Sequence, residues 1–297
     1  MRTTIIYVTY NANTELLSKS INSIVSQADK VIIVDNTPNK DEKLEIFRND
    51  NLEIIYLEDN YGIAKAQNIG IKKALDENYD YVMLSDQDTV YPNNYINNMI
   101  KIFDSYDNVC AIAPKFIDSM KKSYDGFISI TPIIFKQFFP ISGKHEVMQV
   151  IASGTILNVK YLNNIGLMDE KLFIDWVDLE WCWRARKKGY KIIGNADVII
   201  EHQLGDSSKD LGFREVNLRS PMRHYYITRN AFHLALRDKS LDILHRITLF
   251  FKSFRYIIGY PLLSKPHLTH LKYVMLGFWH GIIGKLGKLK WHKLMPQ

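Results

Sequence analysis

Four short, continuously apolar runs follow one another in the first third of the chain: residues 3–9, 30–36, 52–60 and 81–84. Between them, residues 14–27 place Leu17, Ile21 and Ile24 at helical spacing, and residues 62–78 read as a helix with Lys72 and Lys73 exposed. Strands alternating with helices predict βαβ units and a parallel sheet covered on both faces. Each run ends in polar groups: Thr9-Tyr10-Asn11, Asp35-Asn36, Asp59-Asn60 and Asp86-Gln87-Asp88. Loops are polar for ordinary reasons, yet ligands of open parallel sheets sit at these carboxyl ends. Four polar ends in succession point to a site there.

Asp86 and Asp88 sharpen that expectation. In an extended chain, side chains two apart point the same way, and two carboxylates on one side repel unless a positive group lies between them. After the third run, Gly62, Ala64 and Ala66 are small where a helix begins. Such a start admits either a close ligand and an anion or tight packing on the sheet. The dinucleotide fingerprint G-x-G-x-x-G and the phosphate-loop signature are both absent.

The bulk composition narrows the setting. The chain has 297 residues, 46% hydrophobic and 24% charged, an ordinary globular balance. Two cysteines, Cys110 and Cys182, make neither a disulfide framework nor a zinc site and fit a reducing cytoplasm. No signal peptide is visible, and no run of eighteen uncharged apolar residues predicts a spanning helix. From Leu241 onward nine Lys/Arg face one acid, Asp242, a local net of +8; subtracting it from the total of +6 leaves −2 for residues 1–240. A near-neutral body with a basic, aromatic tail is two objects.

Taken in order and spacing, "VTYN", "IIVDN", "NYGIAKAQNIG" and "LSDQD" resemble the family 2 glycosyltransferases of the GT-A fold. The "DQD" form with "FIDWVDLEWCWRARKKGYK" (173–191) resembles the bacterial rhamnosyltransferase branch, and the likeness covers residues 3–235. It implies an α/β fold: a mostly parallel twisted sheet flanked by helices, with a Rossmann-like nucleotide-binding half (1–115), an acceptor half (116–240) and a helical basic appendage (241–297). It implies an inverting transferase using Mg2+ or Mn2+ that moves one sugar, L-rhamnose from dTDP-rhamnose, to a polyprenyl-diphosphate-linked saccharide of a cell-surface polysaccharide. A UDP-galactofuranose or UDP-glucose donor is the alternative, as is a membrane-docked sugar-nucleotide binder without catalysis. The Q-x-x-R-W signature of processive relatives is absent, which favours a single addition. Nucleotidyl transfer would need a Gly-rich basic loop where "YNANTELL" stands, and no nucleic-acid recognition motif is present.

Residue by residue, the resemblance assigns Asp88 and Asp86 to the metal, with Asp86 also beside the donor sugar. Hard cations favour such oxygen ligands. It assigns Thr9, Asn11 and Asp35 to the nucleoside, Gly62 and Asn68 to the nucleotide, and Ser153 and Gly154 to the acceptor side. Asp178 stands at the position of the catalytic base, with a helix N-cap as the bland alternative and Asp175 as a rival base. Many relatives carry Glu-Asp where this chain has Val177-Asp178. His202 matches a metal- or diphosphate-binding histidine. Arg223, Tyr226 and Arg229 lie on a helix suited to a diphosphate or forming an ordinary basic face. Glu180 and Arg184, four apart, read as a surface ion pair.

Independently of any family, residues 241–291 place Ile247, Phe250, Phe251, Phe254 and Ile258 near one helical face, and Tyr273, Phe278, Trp279 and Trp291 among lysines. Such helices lie in an anionic membrane interface or pack on the catalytic domain or a second subunit. The resulting expectation is a cytoplasmic enzyme held peripherally at the inner face of the cell membrane.

Overall fold

A computed structural model describes residues 1–118, 123–202, 208–210, 215–217 and 219–290. The first half is a run of parallel strands: β1 (Thr3–Thr9), β2 (Lys30–Asp35), β3 (Leu52–Tyr56) and β4 (Tyr81–Ser85), adjacent in the order β4-β1-β2-β3. Helices α1 (Thr14–Ile24) and α2 (Ile63–Asp76) make the crossovers. The strands are apolar on both faces because both are covered. Ile5, Tyr7, Val31 and Ile33 pack with Leu17, Ile21 and Ile24 of α1 on one side. Ile6, Ile32, Val34 and Leu84 pack with Ile71 and Ala74 of α2 on the other. Asn13 caps α1 by accepting the Glu15 and Leu16 N–H groups.

The second half extends the same sheet through β5 (Thr89–Val90), α3 (Tyr95–Ile100), β6 (Val109–Asp118) and β7 (Ser123–Asp125). A hairpin of β8 (Phe127–Ser129) and β9 (Lys136–Phe138) stands off it. Next come β10 (Lys144–Glu146), β11 (Ile156–Asn158), α4 (Leu162–Ile165), α5 (Val177–Lys187) and β12 (Lys191–His202). The pair β13 (Ser208–Asp210) and β14 (Glu215–Asn217) forms a separate ribbon. β11 runs antiparallel between β4 and β6 and so welds the two halves into one sheet, in the order β10-β12-β6-β11-β4-β1-β2-β3.

Three helices close the chain: α6 (Pro221–Arg237), α7 (Ile243–Leu263) and α8 (His267–Ile283). Ser220 caps α6, and Pro221 sits in its first turn. Gly277 and Gly281 let α8 lie directly on the α6 backbone: a Cβ there would come within 2.5 Å of the Tyr225 carbonyl and 2.6 Å of the Arg229 carbonyl. Phe232 of α6 is ringed by Phe250, Phe254 and Phe278 from the other two helices. Phe250, expected on the open stripe of α7, therefore turns inward. One side of the tail packs on α6, and the opposite side does not.

Candidate active site

At the carboxyl end of the sheet, β1 and β2 present a buried pair. The Thr9 hydroxyl donates to Asp35 Oδ1 at 2.9 Å, and Thr37 donates to the same oxygen at 2.7 Å. Thr37 also accepts the Asn11 backbone N–H at 2.9 Å, fixing the loop after β1. Asp35 is 1% exposed, yet its Oδ2 is buried with no partner. Leaving a buried acceptor unsatisfied costs about 1–3 kcal/mol, so a donor supplied by a ligand is worth as much. Beside it, Asn36 donates to Asn60 and accepts the Tyr61 N–H, which ties the loop before α2 to the end of β2.

β4 ends at Ser85, and Asp86, Gln87 and Asp88 follow. Thr89 then pairs with His202, so the end of β12 lies one residue from Asp88. The His202 side chain and residues 203–207 lie outside the described part. Ser153 shares a hydrogen bond with Thr89 at 2.9 Å, holding the 151–155 loop against the acidic turn. Gly154 has φ +71, and a Cβ there would meet Tyr95, Pro114 and Ile200, so close packing accounts for this glycine. Among the described residues no three His, Cys, Asp or Glu side chains converge as a metal site. Two carboxylates on one turn still fit a divalent cation that draws its other ligands from phosphate and water.

Asp178 lies in the first turn of α5, two residues past Trp176 at the N-cap, so it is not the cap. Its Oδ2 accepts the Ala152 N–H at 3.1 Å, and its Oδ1 accepts the Leu179 N–H at 2.9 Å. Burial pushes its carboxyl up to about 6 against those two donors, and the negative charge of Asp86 pushes the same way. Asp178 therefore lies close enough to the acidic turn to feel its charge, although the two are far apart in the chain.

The loop before Asp178 is strained. Phe173, Asp175 and Trp176 have φ of 69°, 62° and 69°, a region that costs bulky residues about 1–3 kcal/mol each. The Ile174 N–H closes a tight turn onto the Leu172 carbonyl at 2.8 Å. Helix α6 holds this shape. Asn230 Nδ2 lies within 3.0 Å of the Leu172, Ile174 and Asp175 carbonyls. Trp176 donates to the Ile227 carbonyl, and Arg223 makes a two-point pair with Asp175 at 2.6 and 3.3 Å. Asp175 is thus engaged as an anchor, unlike Asp178.

Several residues expected at a ligand are spent on the scaffold. Arg229 is fully buried, and its guanidinium donates to the Asn230 side chain and to the Leu172 and Gly287 carbonyls. A group so enclosed is not presented to a diphosphate. Tyr226 stacks on Phe173 at 4.8 Å and accepts the Leu289 N–H. Asn68 bridges to Met168 and Glu170, locking α2 to the 168–172 turn. Gly62 (φ +87) is forced by the Phe173 carbonyl, 2.5 Å from where its Cβ would stand. Glu180 and Arg184 are not a surface pair: Glu180 is buried, and Arg184 also donates to the Ile165 and Leu167 carbonyls at 2.8 Å.

Residues 4–166 match the family model for glycosyl transferase family 2. The chain belongs to this family. It is 32% identical over 242 residues to the dTDP-rhamnosyl transferase RfbF of Shigella flexneri, covering 80% of this chain and 81% of that one. It is 24% identical to the Low-salt glycan biosynthesis hexosyltransferase Agl10 of Haloferax volcanii over 96% of this chain and 92% of that one. Among solved structures, S. aureus TarS 1-349 in complex with UDP-GlcNAc superposes with a TM-score of 0.61 at 16% identity, covering 95% of this chain and 82% of that one. The mannosyltransferase PcManGT of Pyrobaculum calidifontis, in complex with GDP-Man and Mn2+, gives 0.56 at 15% identity, over 96% and 88%. The protein is a glycosyltransferase of the GT-A fold.

In this glycosyltransferase the sequence signals overlooked Thr37, which stands two after Asp35, the spacing of a local side-chain turn. Asn230 reads from sequence only as one more polar residue on the 223–230 helix, and Lys288 only as one of the tail lysines. Lys288 pairs with Asp59 at 2.6 Å, and the Gly287 N–H donates to the Lys171 carbonyl. The segment after α8 thereby reaches the donor-side loop.

Proposed function

We propose that the enzyme transfers L-rhamnose from dTDP-rhamnose to one hydroxyl of a lipid-linked saccharide, with inversion. The observation that carries the mechanism is Asp178: a carboxylate whose pKa is raised mainly by burial, held by the Ala152 N–H and within electrostatic reach of Asp86. Such a group takes the acceptor's proton as its oxygen attacks the anomeric carbon. Attack from the side opposite the leaving diphosphate gives inversion.

Asp35 Oδ2 accepts the imide N–H of the base, which thymine and uracil share. The rhamnose assignment is therefore supported by the likeness to RfbF, and UDP-sugars remain the competing donors. Asp86 and Asp88 would hold Mg2+ or Mn2+, which supplies neutralisation of charge on the leaving diphosphate. Arg223 stays at the rim, 33% exposed and anchored by Asp175.

Radiolabelled transfer from dTDP-rhamnose, UDP-galactofuranose and UDP-glucose to a polyprenyl-diphosphate saccharide tests the reading. We expect dTDP-rhamnose to be preferred and Asp178→Asn to lose roughly 10²–10⁴-fold in transfer, with donor binding retained. Full activity of Asp178→Asn together with loss in Asp175→Asn would move the base to Asp175.

A further inference from the structure

The outer faces of α7 and α8 are unpartnered in a regular way. On α7, Leu244, Ile247, Phe251, Phe254, Ile258 and Leu262 recur every three or four residues and are exposed, Phe254 least because its ring also meets Phe232 and Phe278. The buried side, His245, Leu249 and Ser253, is the opposite face. On α8 the exposed stripe is Leu268, Leu271, Met275, Trp279 and Ile283, and the buried side is His270, Val274, Gly277 and Gly281. These stripe residues are 38% to 73% exposed. Two antiparallel helices lying side by side on α6 therefore turn two apolar stripes outward. The hairpin tip between β8 and β9 continues the surface: the Thr248 hydroxyl donates to the Ile133 carbonyl at 3.0 Å, and Ile133 and Ile134 are exposed.

The charges on the tail are almost all basic. Arg255, Lys265, Lys272 and Lys285 are exposed on or beside the two helices, and Asp242, at the foot of α7, is the one acid from Leu241 onward. Contiguous apolar surface of this extent marks an interaction site in a soluble fold. An apolar stripe with an aromatic residue and bordering lysines has the chemistry of a helix lying along an anionic bilayer. No described helix is long and apolar enough to cross a membrane.

We infer that α7, α8 and the 130–134 hairpin tip form a single docking face for an anionic lipid bilayer, with both helices lying along its surface. The placement matters for the acceptor. The same hairpin lines a cavity of about 170 Å³ through Phe127, Ile128 and Gln137, and Leu179, the neighbour of Asp178, lines its far side. Docking sets the acceptor side of the site at headgroup level, where a lipid-linked saccharide is held. This last point rests on the proposed acceptor; the docking itself rests on the surface alone.

The test is flotation of the full chain with vesicles of phosphatidylcholine plus phosphatidylglycerol, and of phosphatidylcholine alone, at low and high salt. The protein is expected to float with the mixed vesicles and to lose most of that binding at high salt. Phe251→Glu with Trp279→Glu is expected to reduce the floated fraction at least about tenfold. Arg255→Glu with Lys272→Glu is expected to abolish the preference for phosphatidylglycerol. Donor binding by calorimetry should be unchanged in both, which shows that they fold. Failure of the unaltered chain to float with mixed vesicles overturns the inference. So does light scattering that shows a dimer split by Phe251→Glu/Trp279→Glu while flotation persists. Flotation without rhamnose transfer would leave the docking face standing and remove the donor assignment instead.

Discussion

Asp178 is held against its own charge. Folding raises its pKa from the ordinary 3.8 to about 6, so the native state binds this proton more tightly than the unfolded chain does. The corresponding stability is present below about pH 4 and is lost as pH rises through about 6. Two pKa units correspond to about 3 kcal/mol as an upper bound, and the two backbone donors are lost in part when Asn replaces Asp. The prediction is therefore a difference in slope: in metal-free buffer, the melting temperature of Asp178→Asn relative to the unaltered protein should rise between pH 4 and pH 8. A flat difference would mean that the carboxyl is ordinary. The residue itself was legible in "FIDWVDLEW", but its environment was not. Its proton affinity is raised mainly by burial, and Ala152 and Asp86, which respectively lower it and raise it further, lie 26 and 92 positions away in the chain. Asp35 shows the same limit: Thr9 was in the expected pocket, whereas the orphaned oxygen was visible only after folding.

At the level of elements, α6 works as a clamp on the 172–176 turn. Its sequence "RHYYITRN" reads as a basic helix face, because periodicity cannot tell an arginine aimed at solvent from one enclosed among carbonyls. Arg229 is the second kind. Asn230→Ala would leave the Leu172, Ile174 and Asp175 carbonyls without their shared donor and release a strained turn. The expected outcome is a loss of about 1–3 kcal/mol in urea unfolding and a fall in kcat of up to about 100-fold from misplacement of Asp178, with donor affinity little changed. Unaltered kcat would show that the turn holds itself. The βαβ half was readable almost to the residue, since continuous apolar strands and amphipathic helices are local patterns. The insertion of β11 between β4 and β6 was not, because strand order is fixed by contacts distant in sequence. Gly62 was read as either room for a ligand or tight packing, and the close approach of Phe173 accounts for it by packing.

Across the whole molecule, the layer formed by α6, α7 and α8 buries histidines. His224, His233, His245, His270 and His280 all have their pKa lowered chiefly by desolvation, and both ring nitrogens of His245 lack partners. A histidine held neutral contributes stability above the unfolded value near 6.5, and that stability is lost as pH falls below it. Unfolding free energy from urea titration should thus decline between pH 7.5 and pH 5, outweighing the opposite trend of the single Asp178. His245→Phe should lessen the decline, and a flat profile would contradict the burial. The charge pattern suggested a near-neutral body and a basic tail. That the tail shares a core with α6 was not legible, because Gly277 and Gly281 act only against a surface they meet in three dimensions. The contacts of the segment after α8 with the 171–172 turn have a consequence for synthesis. Ribosomes extend a chain by about 5–20 residues per second, so Asp178 emerges roughly 5–20 s before the Gly287 that helps to fix its turn. Throughout that interval the 171–176 turn before Asp178 lacks its last tie, and the helices proposed to seat the chain on a bilayer are completed only as that tie becomes available.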